Sequence, residues 1–511
     1  MAFCWESSRT VAPTLRNHSP AAYAALVLDW DFRSNFDAQP QGPIYMRIVG
    51  ALTEGIRTGR LRPGVALPGT RRLAESLGVH RSTVLAAFRE LITEGKLETR
   101  PSQGTFVAET HSHRRGHQDR PVPRALGIPT VPKLQGPAGR PDTLVLGHLP
   151  SGTDFPGVPL ARAYRHAVRR RASEVLDYAN RTDDGATLGN LRLREALGEM
   201  LSRSRGLAAN SQNLLVTNGS QMALYLLAHT LVTPGDVVAV ECFGYGPVWE
   251  AFRLAGATLV PLPVDHEGVC VEHLREIARQ GRLRAVYVTP HHQHPTGVML
   301  TPARRRALLE LAAAENITVI EDDYDCDFAY DGRSMLAMAS KDPKGQVVYV
   351  GSLAKVLGPG VRIGYAVAPP ALLESMARRR AFIDRQGDHA VAYAVAELLE
   401  DGHLRRHVHH LYDIYRKRRD VLAQALQHEL GGLVSFDIPQ TGTALWARVA
   451  PDLDVERWHQ RARERGVLFR PGRTFAFENG PCAYAHFGYA SLDESGLRSA
   501  ARRLASALPT K

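Results

Sequence analysis

The apolar positions of this chain fall into two regimes. Between residues 41 and 94 they recur three or four apart. Ile44, Ile48, Leu52 and Ile56 predict a helix over 41–59. Gly59 stops it, and Leu61-Arg62-Pro63-Gly64 turns the chain. Thr70 is a candidate helix N-cap, followed by a short second helix over 71–77. Gly78-Val79 makes the next turn. A third helix over 80–94 points Val84, Phe88 and Leu91 inward. Residues 95–100 and 104–107 then predict two strands around a turn at 101–103. Two short helices joined by a glycine turn make a helix-turn-helix, and the strand pair adds a wing. The third helix opens with His80-Arg81-Ser82-Thr83, polar and cationic, where a recognition helix meets base edges and phosphates.

From residue 143 the pattern becomes α/β. Helices are predicted over 160–176, 190–205, 220–231, 248–255, 271–280 and 301–315. Short apolar strands fall at 214–217, 237–241, 258–261, 285–289, 317–321 and 346–350. Such alternation implies a mostly parallel sheet covered on both faces, with ligands at the carboxyl ends of its strands. The domain plan is an extension over 1–40 with no readable role, a winged helix-turn-helix over 41–108, a linker over 109–142 and an α/β domain over 143–511. The linker is rich in His, Arg, Pro and Gly, as an extended, solvated spacer would be.

Composition narrows the function classes. At 511 residues, two or three domains are expected. No apolar run is long enough to span a membrane. The first residues lack a basic start and include Glu6, against a secretory signal. Cys4, Cys242, Cys270, Cys326 and Cys482 are scattered, which points to a reducing cytoplasm and to neither a disulfide frame nor a metal site. The net charge of +11 is segregated: residues 41–108 carry ten Arg/Lys against five Glu, and residues 109–140 carry six against two. So concentrated a basic region reads as a polyanion footprint.

The candidate chemistry centres on residues 351–365. Lys355 is flanked by Leu353, Ala354, Val356 and Leu357. Burial disfavours an ammonium ion, so this amine is a candidate nucleophile toward an aldehyde. Ser352 and Arg362 are placed to hold a phosphate, Arg362 through its planar fork of donors. A second phosphate seat is the Asn218-Gly219-Ser220-Gln221 turn that opens a helix. His294, Asp322, Tyr324 and Lys355 also fall at or just beyond strand carboxyl ends.

Residues 42–108 resemble the winged-helix DNA-binding domain of the GntR family of bacterial regulators. The resemblance rests on Gly59-Arg60-Leu61-Arg62-Pro63-Gly64, Leu67-Pro68, Leu77-Gly78-Val79, Glu94-Gly95 and Gly104-Thr105-Phe106-Val107. It implies that Arg71, Arg81 and Thr83 contact operator DNA; His80 stands where serine is common. Residues 145–500 resemble fold-type I pyridoxal-phosphate aminotransferases, through Thr217-Asn218-Gly219-Ser220-Gln221, His294-Pro295-Thr296-Gly297, Glu321-Asp322-Asp323-Tyr324 and the Ser352, Lys355, Arg362 set. The fusion of the two is similar to the MocR-type subgroup of GntR regulators.

That resemblance implies pyridoxal 5'-phosphate bound covalently at Lys355. Asp322 would pair with the ring nitrogen, chosen over Glu321 and Asp323, which point oppositely. Tyr324 and His294 would reach the ring oxygen, Tyr245 would stack on the ring, and Ser220, Gln221, Ser352 and Arg362 would hold the phosphate. It also implies a homodimer. Three departures stand out: His294 replaces the usual asparagine, Ala354 a frequent serine, and His486 the arginine that binds a substrate carboxylate. Arg470 and Arg473 are the nearby candidates for that lost task; otherwise His486 is a core histidine and the carboxylate binds elsewhere. The expected function is a transcriptional regulator that senses an amine, amino acid or vitamin B6 compound through Lys355. The alternatives are a working aminotransferase with an accessory DNA-binding domain, and a regulator that has lost the cofactor.

Overall fold

A computed structural model of the chain describes residues 36–37, 42–101, 103–108, 142–150, 154–178, 187–325, 327–330, 336–480 and 482–509. The expected extension, apart from Phe36 and Asp37, and the expected linker, apart from Asp142, lie outside the described residues. The chain divides into two compact units, Met1–Leu134 and Gln135–Lys511.

The first unit holds helices α1 (Ile44–Arg57), α2 (Thr70–Leu77) and α3 (Arg81–Thr93), then strands β1 (Leu97–Arg100) and β2 (Gly104–Val107). Ile48 and Leu52 of α1 and Val84, Phe88 and Leu91 of α3 are buried together, with Leu73, Leu97 and Val107. Ile44 is exposed, so the four-residue stripe enters the core only from its second member. Thr70 is not the cap of α2. The chain stays extended through Gly69 (φ −60°, ψ 149°), which takes the N-cap position without a side-chain bond, and Thr70 is already helical. Gly78 ends the helix in the left-handed region (φ 66°), a conformation glycine adopts without a Cβ penalty. The wing strands pair antiparallel, Leu97 opposite Val107 and Arg100 opposite Gly104.

The second unit includes helices α4 (Gly157–Arg170) and α5 (Leu191–Arg205). There follow β3 (Leu214–Thr217), α6 (Ser220–Leu231), β4 (Val237–Glu241), α7 (Gly246–Leu254), β5 (Thr258–Leu262), β6 (Leu283–Val288), α8 (Pro302–Glu315), β7 (Thr318–Asp323), β8 (Val347–Ser352), α9 (Ala354–Leu357) and β9 (Gly364–Val367). The strands form one sheet in the order β3-β9-β8-β7-β6-β4-β5. Each neighbouring pair is parallel except the two that involve β9. Leu214–Thr217, Ala285–Val288 and Val347–Val350 are buried throughout, as expected of strands covered on both faces. A smaller antiparallel sheet pairs β10 (Val434–Ser435), β11 (Ala444–Val449), β12 (Arg470–Pro471) and β13 (Tyr484–Gly488) in the order β10-β11-β13-β12.

Candidate functional sites

The DNA-contact candidates lie at the starts of α2 and α3. Arg71, His80, Arg81 and Ser82 are exposed, and Thr83 is half-buried. Arg81 Nε donates to Thr70 Oγ1 at 3.3 Å, which draws the two helix starts together. His80 is the N-cap of α3: its Nδ1 accepts from the Ser82 N–H at 3.3 Å and lies 2.6 Å from Ser82 Oγ. The histidine thus performs the capping task that a serine would perform.

In the second unit the candidates gather at the carboxyl ends of parallel strands. After β3 the chain turns through Gly219 (φ 83°) into α6, whose free N–H groups begin at Ser220. Arg362, itself left-handed (φ 56°), donates from Nη2 to Asn218 O at 2.9 Å. A Cβ on Gly219 would come within 2.5 Å of that Nη2, and one on Gly364 within 2.2 Å of the Ser220 nitrogen. Both glycines are therefore required by the close approach of β9 and Arg362 to the turn. Ser352 Oγ accepts from Ala354 N at 3.1 Å. Gln221 Nε2 donates to Pro247 O at 3.1 Å, and its buried Oε1 has no partner among the described residues.

The acidic run on β7 separates into distinct tasks. Glu321 accepts from Met338 N at 2.8 Å and Ala339 N at 2.9 Å, pinning a loop. Asp323 accepts from Arg205 Nε at 3.1 Å and from the Tyr349 hydroxyl. Asp322 Oδ2 accepts from the Tyr287 hydroxyl at 2.6 Å, while its buried Oδ1 has no partner among the described residues. Burial pushes Asp322 up to about 7, opposed by the Tyr287 bond. An unpartnered buried carboxylate oxygen is costly unless a donor arrives. Tyr324 lies just past the end of β7, with its ring 5.3 Å from that of His294. His294 also packs 5.2 Å from Phe475 and 6.3 Å from Tyr245.

Lys355 is buried in the short helix α9. Its Nζ donates to His148 O at 2.8 Å and to Thr443 Oγ1 at 3.3 Å, and sits 5.7 Å from the Tyr324 ring centroid. Desolvation lowers the amine below its usual range; Asp325 pulls it back up and Arg470 pushes it further down. Asp325 is raised by its own burial. Four imidazoles surround this amine. Burial holds His148, His294 and His486 well below the ordinary histidine value and His292 at about 3, and Lys355 lowers all four further, so all are neutral. His148, His292, Tyr287, Asp325 and Thr443 are the members of this site that sequence reasoning missed. Only Asp325 carried a signal, as the continuation of the acidic run 321–323 past the strand.

Of the two candidate replacements for the lost arginine, the structure keeps one. Arg473 pairs with Glu456 at 3.7 Å with both side chains half exposed. Arg470 lies opposite His486 in the sheet register, and its charge lowers His148, His294, His486 and Lys355.

The donors present fit pyridoxal 5'-phosphate. The Gly219-Ser220 turn with Arg362 is an anion cradle, the orphaned Asp322 oxygen suits a protonated ring nitrogen, and Lys355 offers an amine for an aldehyde. Comparison with known proteins agrees. Residues 161–504 match the aminotransferase class I and II family, and residues 44–107 match the bacterial regulatory proteins of the gntR family. The chain is 31% identical to the probable rhizopine catabolism regulatory protein MocR of Rhizobium meliloti, over 92% of this chain and 95% of that one. It is 32% identical to the HTH-type transcriptional regulator TauR of Rhodobacter capsulatus, over 85% and 90%. Among solved structures it is similar to LysN, an α-aminoadipate aminotransferase of Thermus thermophilus complexed with N-(5'-phosphopyridoxyl)-L-leucine. The TM-score is 0.66 at 28% identity, covering 72% of this chain and 92% of that one.

Proposed function

The chain belongs to the MocR-type subgroup of the GntR family, transcriptional regulators that carry an aminotransferase-like domain, and we propose that its DNA binding answers to an amine-bearing ligand arriving at Lys355. The observation that carries this reading is a buried, desolvated Lys355 amine just past the end of β8, the strand that pairs with the Asp322 strand β7 on one side and on the other with β9, which pairs with β3 before the Ser220 turn. Bound there, pyridoxal phosphate supplies an aldehyde that reacts reversibly with primary amines and a ring that withdraws electrons.

The protein's own residues do the rest. Ser220, Gln221, Ser352 and Arg362 would hold the phosphate, Asp322 the ring nitrogen, His294 and Tyr324 the ring oxygen, and Tyr245 one ring face. Neutral His294 can donate a single hydrogen bond without adding charge. Desolvation keeps a fraction of Lys355 as the reactive free amine. The free Lys355 amine rests on His148 O and Thr443 Oγ1, with Asp325 stabilising its charge. A ligand that favours one arrangement of Lys355 shifts the equilibrium that sets DNA affinity.

On the DNA side, Arg71 and Arg81 would meet phosphates and base edges, with His80, Ser82 and Thr83 beside them. An operator with two half-sites implies a homodimer; Val158 and Phe382, 84% and 93% exposed, are apolar surface that a second copy would cover. Among the described residues no helix is long and apolar enough to cross a membrane, and a regulator of this kind acts in the cytoplasm with its DNA.

The test uses the full-length protein with pyridoxal phosphate and an operator fragment. Adding an amine ligand should change the cofactor absorbance and the DNA affinity at the same ligand concentration. A spectral response with no change in affinity at any salt would refute coupling. The competing reading, a working aminotransferase, is favoured by the completeness of the cofactor residues; sustained turnover at about 1 s⁻¹ or faster without operator binding would establish it.

A further inference from the structure

Asp325 continues the acidic run of β7, but the fold makes little use of it. Glu321 is tied to backbone N–H groups, Asp322 to Tyr287, and Asp323 and Asp327 to Arg205. Asp325 is 4% exposed. Among the described residues its Oδ2 meets the Thr443 hydroxyl at 3.5 Å and its Oδ1 has no partner. A buried carboxylate so poorly satisfied opposes folding unless a cation answers it.

The surroundings are shaped to bring Asp325 to this place. Gly442 is left-handed (φ 81°), and a Cβ on it would come within 3.0 Å of Asp325 Oδ2 and 2.4 Å of His292 Nε2. The Gly442 carbonyl accepts from the hydroxyls of Tyr330 at 2.6 Å and Tyr489 at 2.7 Å, and its N–H donates to Phe328 O at 3.0 Å. Those bonds fix the backbone that carries Thr443, the next residue. Thr443 Oγ1 is a junction: Lys355 Nζ donates to it at 3.3 Å, and it faces His148 O at 2.9 Å and Asp325 Oδ2 at 3.5 Å. A hydroxyl has one proton to give and two lone pairs. Its oxygen accepts from the Lys355 ammonium, and its proton can turn from His148 O to the Asp325 carboxylate.

The other groups around the pair supply no second counter-ion. Burial lowers Lys355, Asp325 draws it back up and Arg470 lowers it further. Burial raises Asp325, Lys355 draws it back down, and Asp327 and Asp323 raise it further. His148, His292, His294 and His486 are neutral. Burial raises the hydroxyls of Tyr324, Tyr330, Tyr415 and Tyr489, so they stay uncharged. Lys355 and Asp325 thus each favour the ionised form of the other.

We propose that Asp325, acting through Thr443, is a positioning residue for Lys355: it holds the free amine as a docked ammonium and so governs when that amine can meet an aldehyde. Loss of one proton from the ammonium to water frees the nitrogen lone pair, with Asp325 still ionised. The proposal deepens the reading of Lys355 as the cofactor's amine and rests on it for its functional meaning, but its first readout needs no cofactor.

The cofactor-free full-length protein is treated with trace formaldehyde and cyanoborohydride across about pH 6 to 10, the interval that spans perturbed lysines. Methylation of Lys355 is followed by mass spectrometry relative to the exposed Lys344. The rate follows the fraction of free amine, so the midpoint of its pH profile does not depend on access to the site. Asp325→Asn keeps the shape and removes the charge. The ammonium loses its counter-ion, and the midpoint should fall by about one pH unit or more, a tenfold change in the ratio of amine to ammonium. Thr443→Val should lower it by less, and Thr443→Ser should leave it in place. In the second readout, Asp325→Asn given pyridoxal phosphate at neutral pH should develop the cofactor band about 3- to 10-fold faster than the native protein, as its larger amine fraction requires.

Equal midpoints in the native protein and Asp325→Asn overturn the proposal, as does a midpoint that rises. If Asp325→Asn does not fold, the threonine variants carry the test, and equal midpoints in Thr443→Val and Thr443→Ser overturn it. A lowered midpoint in a protein that never develops a cofactor band supports the charge pair and overturns the reading of Lys355 as the cofactor's amine.

Discussion

The two units keep their chemistry at opposite depths. In the first, the core is wholly apolar, built from residues such as Ile48, Leu52, Phe88 and Leu91, and the DNA-contact candidates Arg71, His80, Arg81 and Ser82 all stand at the surface. In the second, Lys355, Asp322, Asp325, His294 and His486 are buried. A surface arginine adds little to folding and can be exchanged without disturbing the fold. A buried, half-satisfied carboxylate opposes folding until a ligand completes it. The first unit is thus a rigid reader whose function is separable from its stability, while the second is completed by what it binds.

The sharpest way to break this contrast is at Lys355. Lys355→Ala should abolish the absorbance band that follows addition of pyridoxal phosphate, and all response to amines. Operator affinity measured without ligand should stay within about twofold, a change of under about 0.5 kcal/mol. Loss of DNA binding together with the band would show that the lysine holds the fold and not the cofactor alone.

Next in size is the pH dependence that Asp322 imposes on the cofactor-free protein. Its carboxyl is raised from 3.8 to about 7 by burial. The folded state therefore binds a proton more tightly than the unfolded one. The resulting stability is fully present below about pH 4 and is lost as pH rises through 7. At about 1.4 kcal/mol per pKa unit, a displacement of roughly three units is worth on the order of 4 kcal/mol. Asp322→Asn should flatten the decline in melting temperature between about pH 4 and 8 and leave the cofactor-free variant the more stable form at pH 8. It should not abolish the slope, because burial also raises Glu241 to about 7. Identical slopes in native protein and variant would show that Asp322 has another partner in solution.

A smaller effect is expected in the first unit. Arg81→Ala should weaken operator binding about tenfold and lower the salt slope by about one, the signature of one lost phosphate contact. Its melting temperature and cofactor band should match those of the native protein. Unchanged affinity and slope would remove Arg81 from the interface.

The same contrast governs what could be read without a structure. Ser220, Asp322, Tyr324 and Lys355 each lie within a few residues of the end of their own strand, so strand periodicity alone put them at one sheet edge. The choice of Asp322 over its neighbours came from the family resemblance together with strand alternation. The physical reason is visible only in three dimensions, where Glu321 and Asp323 are spent on Met338, Ala339 and Arg205. Nothing local marks His148 and Thr443. They reach the Lys355 amine across 207 and 88 residues of sequence, and no periodicity records such contacts. Arg470 and Arg473 were indistinguishable by proximity in sequence, and the register with β13 and the Glu456 pair separate them. In the first unit the wing and the three helices were legible throughout, since their packing is local. Thr70 misled because its hydroxyl serves Arg81 of the next helix instead of its own N-terminus.

The finest test concerns His80, which stands at the meeting of fold and function in the reader. Its Nδ1 caps α3 through the Ser82 N–H, and its ring is exposed beside Arg81. If capping is its main task, His80→Ser should keep both stability and operator affinity, because serine is among the best caps. His80→Ala should then cost about 1 kcal/mol of stability in the first unit, with affinity falling only as the start of α3 frays. If the ring instead touches DNA, both variants should lose affinity alike while serine still preserves stability. Thermal melting and operator titration on the same two proteins separate these cases. The cap holds the start of α3, the turn that carries Arg81. For that reason the outcome with affinity preserved in His80→Ser is the one expected.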